Sequence, residues 1–269
     1  MCLGQSYIAL GFPMGTKAKR REEFFKLNPK CCFCGGVRQA KEIDHVPSRV
    51  LFKNRQWPEG FEFPACSKCN RASALDEQVV AMLALVTANT PDSSMDAEIK
   101  ARLQAIANNL PKLFLEMTPS ASQLRQTARK YGLQPTPGQT HFDLPLLSVR
   151  GPLVNGSINS FARKLACALF YKHTGSIAPT QTPIAVRWYS NIQIDNDEIP
   201  RELASVLVNF PTLKRAGTSL QDQFFYRWGV SDTLSMAVFL AFFRESFAIL
   251  MFVNTSKLEP GVSDAAHVV

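Results

Sequence analysis

The sequence predicts an α+β protein, on three observations. Two Cys-x-x-Cys turns, CCFC at 31–34 and CSKC at 66–69, bracket a single Asp-His pair in EIDHVPSRVLF. Residues 72–85 and 161–175 repeat apolar side chains at helical spacing. Residues 184–194, 223–231 and 236–253 carry the β-branched and aromatic runs of strands.

The elements follow in chain order. Residues 1–20 are expected to form a loosely ordered arm. Its KAKRRE run is either a solvated helix start or a phosphate contact. Residues 21–90 hold the cysteine pairs and the Asp-His pair, and close on the helical ASALDEQVVAMLAL, with Leu75, Val79, Met82 and Leu83 apolar. TPDSS at 90–94 breaks that helix, and 96–115 reads as a further amphipathic one. The Pro- and Gly-bearing YGLQPTPGQTHFDLP then reads as a linker, so 91–149 is a helical connector with a boundary near 132–150. Residues 150–257 form an expected α+β C-terminal domain of unassigned role. It opens with FARKLACALFYKHTG, a helix closed by Gly175. Residues 258–269 are an expected flexible tail. The apolar run 236–253 carries Arg244 and Glu245 at its middle, which disfavours a membrane span and favours two strands joined by a turn.

A chain of 269 residues can bury a core without needing a metal merely to fold. The net charge of +8 favours a polyanionic partner, nucleic acid first and acidic membrane surface second. Seven cysteines, with no basic segment ahead of the first apolar run, predict a reducing cytoplasm and metal thiolates instead of disulfides. Cys31, Cys34, Cys66 and Cys69 together complete a tetrahedral zinc site. Cys32 lacks the two-residue gap to Cys34, and Cys2 and Cys167 have no partner of that kind. Four thiolates close the zinc, so such a site is structural and chemistry must lie beside it. His45 is a candidate base. Asp44 is a hard oxygen ligand for magnesium or manganese, and Asn70 offers a second. His141, His173 and His267 are expected to be structural or incidental, with His173 complementing the C-terminus of its helix. Trp188 and Trp228 are expected in the core.

The combination Cys-x-x-Cys, Asp-His, then Cys-x-x-Cys-Asn resembles the zinc-bearing branch of the HNH endonucleases, over roughly residues 28–85. The resemblance implies a ββα-metal module, a hairpin followed by a helix around one divalent ion. It implies His45 as general base, Asp44 and Asn70 as catalytic metal ligands, and the four cysteines as structural zinc ligands. It also implies hydrolysis of phosphodiester bonds, DNA before RNA. Arg49, Lys53, Arg55, Lys68 and Arg71 are the expected phosphate contacts. Phe61 stands about where many members carry an Asn that orients the loop holding the base, so Glu62 or a backbone carbonyl is expected to substitute. Asp76 or Glu77 either reaches the metal or complements its helix N-terminus. The rival reading is a zinc-stabilised nucleic-acid-binding module with a non-catalytic centre.

Overall fold

The structure, a computed structural model, describes residues 17–85 and 96–256. Most of the expected arm, the TPDSS break, Cys2, His267 and the expected tail lie outside the described residues.

Helix α1 (Lys17–Leu27) carries the KAKRRE run and buries none of its residues. It is a solvated helix, tied back by Arg20 to Glu62 at 3.5 Å and by Arg21 to the Lys41 carbonyl. Strands β1 (Glu42–His45) and β2 (Glu62–Ala65) pair antiparallel, with Asp44 opposite Phe63 and His45 opposite Glu62. Helices α2 (Ser67–Ala72) and α3 (Ala74–Leu85) follow at once. From Val79 to Leu85 every residue of α3 is buried, because the helix is enclosed on several sides; Leu75 at its start stays exposed. The stretch expected as one helix over 96–115 is two, α4 (Asp96–Asn109) and α5 (Lys112–Met117). Pro111 stands at the junction, where it lacks the N–H to continue the ladder.

Helix α6 (Ala121–Tyr131) opens on a Ser120–Gln123 capping box and precedes the mostly exposed 132–150 stretch. Helix α7 (Pro152–Thr174) is longer than its apolar pattern predicts. Its first turn is capped by the Glu116 carboxylate, which accepts from the N–H groups of Leu153 and Val154. It ends as expected at Gly175, whose φ of 69° is the left-handed conformation that glycine adopts without strain.

Strand β3 (Ile184–Ser190) stops earlier than 194, because Ser190 and Gln193 cap a short helix, α8 (Asn191–Asp195). Then come α9 (Arg201–Val206), β4 (Val208–Asn209), β5 (Lys214–Arg215), β6 (Thr218–Ser219), β7 (Phe224–Val230), β8 (Met236–Phe243) and β9 (Phe247–Asn254). The apolar run 236–253 is the β8–β9 hairpin, and no helix among the described residues is long and apolar enough to cross a membrane. Five strands form one antiparallel sheet in the order β3-β9-β8-β7-β4, while β5 and β6 pair separately.

Helix α7 lies between this sheet and α3. That placement joins the halves of the chain. One continuous apolar core runs from Val46, Phe61 and Phe63 through Val79–Ala84 and Phe161–Phe170 to Phe224, Phe239 and Met251. The stretch 132–150 is surface chain, but the core does not divide there, so the expected boundary separates no independent interior.

Candidate functional site

The four cysteines converge. Cys31 and Cys34 come from the first turn, Cys66 caps α2 and Cys69 lies one turn into it. Their sulfurs all lie within 4.8 Å of one another. Tetrahedral zinc with bonds of about 2.3 Å sets its sulfurs roughly 3.8 Å apart, so this cluster can hold a metal such as zinc. Among the described residues it is the single such group of cysteine, histidine and carboxylate side chains. Burial opposes ionisation of Cys66, but the Cys69 N–H and the Arg38 guanidinium outweigh it and bring the thiol down to about 6. Arg38 Nη1 lies 3.8 Å from that sulfur. Cys32 points into the apolar core, fully buried, and burial pushes its thiol far up. It is not one of the converging set.

Successive residues of a strand face opposite ways, and β1 uses this. Asp44 faces inward. Its Oδ2 lies 2.6 Å from Nζ of Lys164, on α7. Nζ also lies 2.7 Å from Glu77 Oε1 and 2.7 Å from Ser73 Oγ. Burial pushes the Asp44 carboxyl up to about 6, although the Lys164 ammonium works against the shift. Burial likewise opposes the charge on Lys164, but Asp44 and Glu77 outweigh it and hold the lysine above its ordinary value.

Asn70 is elsewhere engaged. Its Nδ2 donates to Glu42 Oε2 at 2.5 Å. The two expected ligands have different partners: Glu42 accepts from the Asn70 amide nitrogen, and the Lys164 ammonium stands against the Asp44 carboxylate. Glu77, one of the alternatives for the helix, does meet Asp44 around one cation, but that cation is Lys164.

His45 faces the other way. Its ring meets Trp57 edge-on, with centroids 4.4 Å apart, and its Nε2 lies 3.8 Å from Glu62 Oε1. Two guanidiniums lie over the same indole, Arg49 at 4.5 Å and Arg215 at 3.8 Å. Burial, then Arg49 and Arg215, hold the imidazole down to about 4, so it is neutral at physiological pH. Of the expected phosphate contacts, Arg49 flanks the base. Lys53 and Arg55 are exposed on the loop that follows it, and Lys68 and Arg71 are exposed on α2.

Phe61 is fully buried and cannot act as an Asn would. Its ring packs edge-on against Phe63, Phe210, Phe224 and Tyr226, and Lys172 Nζ stands 4.6 Å from its centroid. Its backbone carbonyl accepts from the Val46 N–H at 3.4 Å, directly after His45. Both expected substitutes thus lie by the base, the Phe61 carbonyl bonded to the residue after it and Glu62 3.8 Å from its Nε2.

His173 is structural, as expected, but not as a cation at the helix terminus. It is stacked on Trp228, with centroids 4.0 Å apart, and its Nε2 lies 3.0 Å from the Tyr226 hydroxyl. Burial, then neighbouring Lys172, push it down to about 4, so it is a neutral packed ring and not a cationic helix terminus. His141 sits in a short surface turn at 141–143. Trp188 and Trp228 both pack against the main core.

Sequence reasoning missed Lys164 and Arg215, and it did not pair Ser73 with Glu77. Ser73 and Glu77 stand four apart on one helical face, a signal that could have paired them. Lys164 interrupts an apolar helix face, which marks a buried lysine in need of a partner. Arg215 left no local signal. It arrives because Glu59 bonds the β5–β6 hairpin, its N–H donating to Lys214 and its carboxylate accepting from the Ala216 N–H.

No protein family, characterised protein or solved structure matches this chain. The HNH resemblance rests on the residues themselves.

Proposed function

We propose that this chain is an HNH-type endonuclease that hydrolyses phosphodiester bonds of nucleic acid, DNA before RNA, on a module stapled by structural zinc. One juxtaposition carries the reading: a neutral imidazole, His45, beside two guanidiniums, Arg49 and Arg215, at the end of a hairpin braced by four cysteines. The guanidiniums suit a phosphate, and the imidazole suits the water that attacks it. The same cations depress His45. A phosphodiester bound against them offsets their charge and makes the imidazole more basic when substrate is in place. His45 then takes the proton of the water that adds to phosphorus, the guanidiniums stabilise charge on the phosphoryl oxygens, and the ester P–O bond breaks with the leaving oxygen taking a proton from solvent. No step is assigned to a divalent ion, because the Lys164 ammonium stands against the Asp44 carboxylate.

The rival reading is a zinc-stabilised nucleic-acid-binding module without catalysis. Lys164 favours it, because an ammonium stands where the resemblance puts the catalytic metal.

The deciding experiment incubates the purified chain with supercoiled plasmid, single-stranded DNA and RNA, with and without magnesium or manganese. Cleavage that falls by about a hundred- to ten-thousand-fold in His45→Ala, with nucleic-acid binding and zinc content kept, supports the enzyme. Binding without cleavage of any substrate, unchanged in the variant, establishes the binding module instead.

A further inference from the structure

Lys164 lies in the run FARKLACALFY of α7 and is only 8% exposed. An ammonium has three N–H donors. Three oxygens surround this one, Asp44 Oδ2 at 2.6 Å, Glu77 Oε1 at 2.7 Å and Ser73 Oγ at 2.7 Å. The Ser73 hydroxyl in turn donates to Glu77 Oε1 at 2.7 Å. The Phe33 ring, from the first cysteine turn, covers the ammonium with its centroid 5.5 Å away.

Asp44 comes from β1, Ser73 from the junction of α2 and α3, and Glu77 from the first turn of α3. Two carboxylates face a single positive charge. A hydroxyl and two carboxylates are a hard oxygen set of the kind that binds magnesium or manganese. The spacing, however, is set for a lysine. Magnesium holds its oxygens at about 2.0–2.1 Å, so they would have to close by roughly 0.6 Å once the ammonium had left. A bulky cation already inside, anchored to α7 by its own side chain, leaves a divalent ion no room and repels it at contact range.

We propose that Lys164 is the resident cation of a cup formed by Asp44, Ser73 and Glu77, that it excludes divalent ions from the cup, and that removing its charge turns the cup into a magnesium or manganese site. The proposal deepens the HNH reading, since it concerns the place where that reading puts a metal. It is tested by metal binding without any substrate, so absence of cleavage would defeat the nuclease reading and leave this one standing.

The test titrates manganese into the zinc-loaded full chain and follows the electron paramagnetic resonance signal of the free ion. Wild type, Glu77→Gln, Lys164→Met and Lys164→Met/Glu77→Gln are compared, with folding checked by circular dichroism and zinc content. Lys164→Met is expected to gain one manganese per chain, with affinity at least about tenfold above wild type because a like charge at contact range is gone. The added Glu77→Gln change is expected to abolish the gain. A folded Lys164→Met that takes up no manganese overturns the proposal. So does uptake that survives Glu77→Gln, or a wild-type chain that already binds one manganese and loses it in Glu77→Gln. If Lys164→Met does not fold alone, the proposal requires manganese to restore the fold, and a chain still unfolded in millimolar manganese overturns it.

Discussion

The Arg215 guanidinium lies 3.8 Å from the centre of the Trp57 ring, whose edge-on neighbour is His45. A residue from the second half of the chain thus completes the surroundings of the candidate base, and it also helps to depress it. Arg215→Ala is expected to raise the His45 pKa from its value near 4, as followed by the ring proton shifts in NMR. The same variant is expected to weaken nucleic-acid binding and to reduce the slope of log affinity against log salt by about one, the signature of one lost phosphate contact. An unchanged slope would remove Arg215 from the interface.

The cysteine cluster separates ligands from bystanders. Cys66→Ser is expected to lose the bound zinc, measured by elemental analysis, and to loosen the hairpin and α2, because metal binding is coupled to local folding. Cys32→Ser is expected to keep its zinc. Its cost is instead about 1–3 kcal/mol of global stability, for a hydroxyl placed in apolar core without a partner. Zinc lost from the Cys32 variant and kept by the Cys66 variant would reverse the assignment.

Phe61 shows why the family pattern cannot simply be restored here. Phe61→Asn would place an amide among four aromatic rings and remove a fully buried side chain. Loss of packing alone is expected to cost about 3–5 kcal/mol, by analogy with large-to-small changes at buried aromatic sites. Denaturant unfolding gives the number, and plasmid cleavage is expected to fall with it. A gain in cleavage from Phe61→Asn would contradict the structural role assigned to the ring.

Acid is expected to weaken the fold through His45 and His173. Both have pKa values pushed down to about 4 from an ordinary 6.5. Between those values the unfolded chain binds more protons than the folded one, so stability falls as pH falls. One such group removes up to about 2 kcal/mol between pH 7 and pH 5. Asp44 works in the opposite sense. Its carboxyl, raised to about 6, binds a proton more readily in the folded state and returns part of the loss. His173→Phe is therefore expected to be less stable than wild type at pH 7, because the Tyr226 hydroxyl loses its partner. Its further loss on going to pH 5 is expected to be smaller. Parallel pH profiles for the two proteins would mean that His173 is not held neutral.

The sequence by itself determined what local spacing controls. Two-residue gaps put Cys31 with Cys34 and Cys66 with Cys69, because a tight turn carries both thiols to one side. The apolar runs either side of Arg244 and Glu245 made a hairpin, since charges at the middle of such a run belong in a turn. Gly175 ended α7 because it takes the left-handed conformation without a side-chain clash. Only the tertiary structure decided which faces meet. The alternation of β1 puts Asp44 and His45 on opposite sides, but nothing nearby in sequence says that Lys164 waits on one side and Arg215 on the other. Those partners arrive because α7 packs between α3 and the sheet, and because the β5–β6 hairpin is bonded to Glu59. Phe61 and Asn70 follow the same rule. Their partners, an aromatic cluster and Glu42, come from the fold and not from the motif. A residue pattern fixes dihedral preferences and faces over a few turns. The identity of a partner far along the chain depends on how one shared core closes, which no local pattern encodes.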